Sequence, residues 1–138
     1  MAYPELLIQP MREDLTRYGV EETRTPEDVD RVLRENATVL MVVNSICGCA
    51  AGKARPAVAA ALRHSVKPDK TATVFAGADD AAVAHVRQLL KDYPPSSPSI
   101  ALFKDGKPVE MIHRRQIEPS DASQIAKMLT GMFDRHCG

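Results

Sequence analysis

The chain has 138 residues and a mass of 15.1 kDa, a size that corresponds to one domain with a single hydrophobic core. Hydrophobic residues make up 44% and charged residues 26% of the chain, which is typical of a folded globular protein and not of a disordered one. The formal net charge is +0, so we expect neither nucleic acid nor a membrane as a partner.

The sequence also lacks the patterns that direct a chain into a membrane or out of the cell. No apolar run approaches the roughly 20 residues of a membrane span, and no basic region followed by an apolar stretch opens the chain. We therefore expect a cytoplasmic protein. Three cysteines are too few, and odd in number, for a secreted disulfide scaffold, so two cysteines one residue apart indicate redox chemistry or metal binding.

The first 36 residues are predicted to form a helical extension of the domain. One helix is expected to begin after Pro4 and end at Gly19, with a face made of Leu7, Met11, Leu15 and Tyr18. A second helix is expected to begin at Thr25, which can cap it, with Pro26 at its first position, and to run to about Asn36.

The following residues alternate between strands and helices. The continuous apolar run 38–43 predicts a strand that is buried on both faces. The alanine-rich segment 50–66 predicts a helix. Pro56 is expected either to kink this helix or to start its regular part. Residues 71–76 predict another strand, and Asp79-Asp80 open a helix whose apolar face is Val83, Val86, Leu89 and Leu90.

A hairpin and a helix complete the predicted fold. Asp105-Gly106 is a strong turn signal between the strands 99–104 and 108–113, and the last helix has Ile125, Met128, Leu129, Met132 and Phe133 on one face. Strands that alternate with helices imply parallel pairing, to which the hairpin adds an antiparallel edge. This order predicts an α/β fold with a mixed central sheet and helices on both faces. A thioredoxin-like three-layer sandwich is one of several such folds.

Cys47 and Cys49 lie where the buried strand ends and a helix begins. The unpaired N–H groups and the positive dipole at a helix start stabilise a thiolate. No acidic residue occurs between positions 36 and 68, whereas Lys53, Arg55, Arg63 and Lys67 do. We therefore predict Cys47 as a nucleophile that attacks disulfides, with Lys53 and Arg55 stabilising its thiolate, and an anionic small thiol as partner.

Gly48 separates the two sulfur atoms and permits the backbone distortion that a disulfide across one residue requires. Such a disulfide should be strained and easily reduced, so Cys49 is predicted as the resolving thiol, or as a second thiol that tunes the first. Two alternatives remain open. The cysteines can be buried packing residues, or they can form a zinc site with Cys137 and His136, although the cysteine spacing is shorter than in most zinc sites.

Three further groups of residues are candidates. A cis Ser97–Pro98 bond would press the loop against the cysteines and expose the Ser97 backbone to a substrate strand, but an ordinary trans turn is the alternative. Arg114 and Arg115 can bind a carboxylate of a thiol substrate, or be solvated residues at an edge. Cys137 is interpreted as a free thiol, with a resolving thiol or a homodimer-forming thiol as alternatives. We expect surface positions for His64, His85 and His113.

The segment 44–56, which contains Cys47-Gly48-Cys49, resembles the bacilliredoxin family, thioredoxin-like bacterial proteins with Cys-Gly-Cys in place of Cys-X-X-Cys. The resemblance extends along nearly the whole chain. Its further matches are Tyr3-Pro4, the loop 94–99, Arg114 with Ile117-Glu118, and residues 133–137.

The resemblance implies a thioredoxin-like fold and a concrete reaction. Family members remove bacillithiol, a low-molecular-weight thiol, from mixed disulfides on oxidised proteins, and some are described as disulfide isomerases. By this resemblance Cys47 takes the bacillithiol, and Cys49 or free bacillithiol regenerates Cys47, while Pro98 occupies the cis-proline position. Bacillithiol is then a co-substrate, with no bound cofactor or metal, and the partners are bacillithiolated or disulfide-containing proteins.

The sequence departs from the family pattern at His113, where proline is expected, and at Arg115, where histidine is expected. Unlike ordinary thioredoxins, it has no tryptophan before the first cysteine and no nearby acid as proton acceptor. The other functions to consider are a general disulfide isomerase or reductase and a non-enzymatic metal-binding or redox-sensing domain.

Overall fold

The computed structural model describes residues 3–138 as a five-stranded sheet with helices on both faces. The elements in chain order are α1 (Glu5–Thr16), β1 (Glu21–Glu22), α2 (Pro26–Glu35), β2 (Thr38–Asn44), a π-helical turn (Ala50–Ala54), α3 (Arg55–Ala61), β3 (Lys70–Phe75), α4 (Asp80–Leu89), β4 (Ser99–Lys104), β5 (Lys107–Ile112), α5 (Arg114–Ile117) and α6 (Ala122–His136). The predicted α/β class is confirmed.

The strand order is β1-β3-β2-β4-β5, with β2 at the centre. β3 pairs in parallel with β1 and β2, whereas β4 runs antiparallel to β2 and to its hairpin partner β5. Every residue of β2 is buried, because helices cover both faces of the sheet. The predicted mixed sheet with an antiparallel edge is therefore confirmed.

Alternate residues of β2 face two separate cores. Leu40 and Val42 belong to a cluster that includes residues of α1, α3 and α6. Val39, Met41 and Val43 belong to a second cluster, with residues of α2 and α4. This alternation follows from the two-residue period of a strand, and it fixes which helices lie on which face.

The predicted apolar face of α1 is confirmed at Leu15 and wrong at Leu7 and Tyr18. The buried residues are Ile8, Arg12 and Leu15, whereas Leu7 and Tyr18 of the predicted face are 50% and 47% exposed. A charged side chain occupies the middle of the core-facing stripe, so a search for apolar residues misplaces the face. The helix also ends at Thr16, before the predicted end at Gly19.

Arg12 is buried because acidic side chains surround its guanidinium group. It donates two hydrogen bonds to Asp79, at 2.9 and 2.8 Å, one to Glu5 at 2.8 Å and one to Glu22 at 3.1 Å. It also lies 5.3 Å from the centre of the Phe75 ring. Burial lowers the pKa of Arg12, but the hydrogen bonds and charges of these acids outweigh it, and the net pKa is raised. These hydrogen bonds of Arg12 hold α1 against the turn between β3 and α4.

Several local predictions are confirmed. The Thr25 side chain accepts a hydrogen bond from the Asp28 N–H at 3.1 Å and caps α2, with Pro26 in the first turn. The hairpin turns at Asp105 and Gly106, both with positive φ. Pro56 lies at the start of the regular helix α3, which follows the π-helical turn.

Three elements differ from the predictions. β1 was not predicted, since Glu21-Glu22 has no apolar pattern, yet it pairs with Ala72 and Thr73 of β3. The alanine-rich helix ends at Ala61 and not at residue 66, and α5 was also unpredicted. Within residues 3–138, none of the helices combines the length and the apolar character needed to cross a membrane.

Candidate active site

Cys47 lies at the junction between β2 and the helix that follows, as the sequence predicts. Its carbonyl oxygen accepts hydrogen bonds from the N–H groups of Ala50 and Ala51, at 3.0 and 3.2 Å, so it opens the helical segment. Cys47 and Cys49 are partly exposed and Gly48 is exposed. Cys47 and Cys49 are free thiols that keep part of their surface exposed, and Cys49 also packs against the core cluster that contains Leu40 and Val42.

The two thiols differ in acidity because of their surroundings. The Cys49 N–H donates to the Cys47 Sγ at 3.3 Å. This bond is the main cause that lowers the pKa of Cys47, and the Cys49 thiol and the positive charge of Arg114 act in the same direction, against burial. Burial and the neighbouring Cys47 raise the pKa of Cys49. The first proton therefore leaves Cys47, which becomes the thiolate beside a protonated Cys49.

Arg114 links the cysteines to the proline loop. Its Nη1 donates to the Ser97 carbonyl oxygen at 3.1 Å, and its backbone N–H donates to the Ser96 Oγ at 3.3 Å. Its Nε lies 3.5 Å from a carboxylate oxygen of Glu118. The Ser97–Pro98 bond is cis, the isomer that the family resemblance implies. Arg114 thus contacts the proline loop and also acts by its charge on the Cys47 thiol.

Arg55, predicted to stabilise the thiolate, is instead buried beneath the cysteine loop. Its Nη1 donates to the Asn44 Oδ1 and to the Ser45 carbonyl oxygen, both at 3.0 Å. Its Nε lies 3.1 Å from a carboxylate oxygen of Asp14. The charge of Arg55 is therefore balanced by α1, and the residue supports the loop from below.

Asn44 and Ser45 complete this support, and sequence reasoning missed their role. The Asn44 amide donates to the Met11 carbonyl oxygen at 3.2 Å, and its oxygen accepts from the Ser45 N–H at 2.9 Å. The Ser45 hydroxyl accepts from the Cys47 N–H at 3.2 Å. The sequence signal that could have indicated this supporting role is the pair of polar residues directly after an unbroken apolar strand.

The relation of Lys53 and Gly48 to the reactive thiol is less direct. The Lys53 ammonium group donates to the Glu118 carbonyl oxygen, so it joins the π-helical turn to the segment after α5. A Cβ at Gly48 would meet no atom within 4 Å. The dithiol form therefore does not require glycine there, and its role in closing a disulfide stays a prediction.

A groove of ≈ 460 Å³ is lined in part by Arg114. Pockets for small molecules are typically about 300–1,000 Å³. The walls of the groove come from the segments 94–96 and 113–118. His113 on this wall is half-buried, 6.0 Å from the Tyr93 ring, and its Nδ1 has no partner among the described residues. The predicted surface position of His113 is therefore wrong in part. Both departures from the family pattern, His113 and Arg115, line the groove.

Cys137 lies at the other end of the sheet from Cys47. It follows α6, packs against the core and contacts Thr38, the first residue of β2. Burial raises its pKa. Since β2 has seven residues, about 20 Å of strand separates Thr38 from the end that leads to Cys47. The zinc site with Cys137 and His136 is therefore wrong, and no three His, Cys, Asp or Glu side chains in residues 3–138 could hold a metal ion.

The other two predicted surface histidines form hydrogen bonds with carboxylates at the periphery. His64 lies 2.8 Å from a carboxylate oxygen of Asp134, and His85 lies 2.7 Å from one of Asp30. In these interactions the partner of each histidine is a carboxylate and not a cysteine.

Comparison with known proteins identifies relatives along the whole chain. A family model described as "Disulphide isomerase" matches residues 3–137. A bacilliredoxin of Koribacter versatilis (strain Ellin345) is 50% identical over 137 residues, which are 99% of this chain and 94% of the relative. A bacilliredoxin of Staphylococcus haemolyticus (strain JCSC1435) is 45% identical over 135 residues, with 98% and 93% covered.

Solved structures show the same fold at low sequence identity. The thioredoxin of Fasciola hepatica superposes with a TM-score of 0.57 at 18% identity, covering 85% of this chain and 99% of that one. An oxidised thioredoxin of Arabidopsis thaliana gives a TM-score of 0.59 at 14% identity, covering 85% and 96%. The predicted thioredoxin-like fold is therefore confirmed.

Proposed function

The chain belongs to the bacilliredoxin family and is a thiol–disulfide oxidoreductase, and on that premise we propose that it removes bacillithiol from mixed disulfides on oxidised cytoplasmic proteins. The observation that carries the proposal is the pair of partly exposed thiols with opposite pKa shifts at one helix start. Such a pair supplies a nucleophile and a second thiol that waits in its protonated form.

In the first step the Cys47 thiolate attacks the bacillithiol sulfur of the mixed disulfide. The bond between Cys47 and that sulfur forms as the old S–S bond breaks, and the protein leaves as a thiolate with the electron pair. The lowered pKa of Cys47 increases the fraction of the nucleophilic thiolate, and the Cys49 N–H stabilises its negative charge. The repaired protein is released, and bacillithiol stays on Cys47.

The second step regenerates Cys47 by one of two routes. A second bacillithiol thiolate can attack the sulfur of the bound bacillithiol, which gives oxidised bacillithiol and the Cys47 thiolate. Alternatively Cys49 loses its proton and attacks Cys47, which releases bacillithiol and leaves a Cys47–Cys49 disulfide for two further thiols to reduce. The raised pKa of Cys49 favours the first route at neutral pH.

Residues near the cysteines would position the protein substrate. The Ser97 carbonyl oxygen accepts from Arg114, whereas the Ser97 N–H has no acceptor among residues 3–138. That N–H is available for the backbone carbonyl of a substrate strand next to Pro98. Gly48, between the two cysteines, faces open space, since a Cβ there would meet no atom within 4 Å. Bacillithiol serves as co-substrate in this scheme, with no resident cofactor or metal.

The description of the matching family model favours a second candidate, a protein disulfide isomerase. The same Cys47 thiolate would attack a disulfide within a misfolded protein and free one protein thiolate. A different thiolate of that protein would then attack the substrate sulfur bonded to Cys47, which forms a new protein disulfide and releases the Cys47 thiolate. The two functions differ in the group that becomes bonded to the Cys47 sulfur. It is a small thiol in the removal of bacillithiol and a protein cysteine in disulfide isomerisation.

The test compares release of bacillithiol from a protein with one bacillithiolated cysteine against reactivation of scrambled ribonuclease. We expect release by the wild type and by Cys49→Ala with bacillithiol present, and none by Cys47→Ala. Cys137→Ala is the matched control and should keep the wild-type rate, since Cys137 lies at the far end of the sheet. Release by Cys47→Ala at the wild-type rate would contradict the proposal. Ribonuclease reactivation without bacillithiol release would establish the isomerase instead.

A further inference from the structure

The groove between the segments 94–96 and 113–118 has Arg114 in its wall, the residue whose charge also acts on the Cys47 thiol. The Arg114 side chain lines the groove, donates to Ser97 and lowers the pKa of Cys47 by its charge. A molecule bonded to the Cys47 sulfur therefore has the groove within reach of the same guanidinium group. The groove volume of ≈ 460 Å³ lies within the range of small-molecule sites.

The charges of the groove favour an anion. Arg115 is exposed on one wall and makes no ion pair within residues 3–138. Arg114 forms an ion pair with Glu118, the acidic residue on this wall, at 3.5 Å. Both side chains are about half exposed. Two guanidinium groups against one carboxylate leave net positive charge, and guanidinium groups bind carboxylates through paired hydrogen bonds.

The opposite wall is rigid and largely apolar. Pro94 and Pro95 fix the backbone there, and Ser96 adds a hydroxyl that already accepts from the Arg114 N–H. This wall can contact the carbon skeleton of a bound molecule, with little conformational entropy to lose on binding. The groove thus combines an apolar contact surface with two cations, of which Arg114 also acts on the reacting thiol.

We propose that this groove binds the carboxylate-bearing part of a small thiol while the sulfur of that thiol is bonded to Cys47. The inference rests on the proposed exchange reaction and adds its substrate class, small thiols with a carboxylate in preference to neutral ones. In each reaction the Cys47 thiolate forms one new S–S bond, and the other half of the small disulfide leaves as a thiolate. Arg115 acts as a specificity-determining residue in this site.

The experiment measures initial rates of adduct formation on the reduced full chain by intact mass spectrometry, with two symmetric disulfides as probes. Dithiodiglycolate carries a carboxylate on each half, and bis(hydroxyethyl) disulfide is uncharged. The ratio of the two rates cancels any change in the reactivity of the Cys47 thiolate. We expect Arg115→Gln to lower this ratio by about two- to fivefold at low ionic strength, and salt to reduce the difference.

Two further variants sharpen the result. Glu118→Gln removes the negative charge of the groove and should raise the ratio. Arg34→Gln is the matched control, because Arg34 is also an exposed helical arginine but lies on α2, which leads to the far end of β2. An unchanged ratio in Arg115→Gln, or an equal drop in Arg34→Gln, would overturn the groove assignment alone. Failure of the wild type to form an adduct with either probe would overturn the exchange reaction and the groove together.

Discussion

The buried Arg12 provides a direct test of what holds α1 against the sheet. Arg12→Met keeps most of the apolar volume but removes the two hydrogen bonds to Asp79, whose side chain is 6% exposed. A buried charge left without its partner destabilises a protein by about 3–5 kcal/mol. Because the Phe75 N–H still donates to Asp79 at 3.0 Å, we expect the lower end, about 3 kcal/mol. Total stabilities are about 5–15 kcal/mol, so this loss is large.

The assay is equilibrium unfolding in urea, in which the midpoint should fall while the slope stays constant. Arg17→Met is the matched control on the same helix, since Arg17 is 58% exposed and pairs with Asp14 at 3.1 Å. An exposed pair of this kind contributes at most about 1 kcal/mol. Adding Asp79→Asn to Arg12→Met should recover part of the loss. Equal losses in the two arginine variants would refute the reasoning.

Two other substitutions test the site and the N-terminal contact. Arg114→Gln should raise the pKa of Cys47, because a positive charge near the thiolate is lost, so the pH at half-maximal alkylation by iodoacetamide moves upward; an unshifted profile would contradict this. Gly77→Ala should destabilise more than Gly106→Ala in urea unfolding. Both glycines have positive φ, a strain of about 1–2 kcal/mol for alanine, but only at Gly77 would the new Cβ lie 2.4 Å from the Tyr3 ring. Equal losses would show that the Tyr3 contact is easily displaced.

The features predicted correctly from the sequence depend on neighbouring residues. The apolar run of β2 implies burial on both faces, Thr25 caps a helix within three residues, and Asp105-Gly106 closes a hairpin locally. The strand-to-helix junction at Cys47 follows from the same local reasoning. Each of these signals lies within a few positions of the structure it specifies.

The failures involve contacts between distant parts of the chain. The face of α1 depends on Arg12 meeting Asp79, which is 67 positions away. The cation that lowers the pKa of Cys47 is Arg114, from the segment after the hairpin, and the nearby Arg55 is bound to Asp14. Proximity in sequence therefore suggested Arg55 in place of Arg114. A helix projects its side chains on all sides, so the packing of the whole chain determines which of them come close to the sulfur.

The division of roles between Cys47 and Cys49 is the central claim, and intact mass spectrometry after incubation with oxidised bacillithiol tests it most directly. With no reduced bacillithiol added, one bacillithiol adduct should persist in Cys49→Ala, which lacks the resolving cysteine, and no adduct should form in Cys47→Ala. The wild type should form the same adduct and lose it in time. An adduct on Cys47→Ala, or none on Cys49→Ala, would contradict the account.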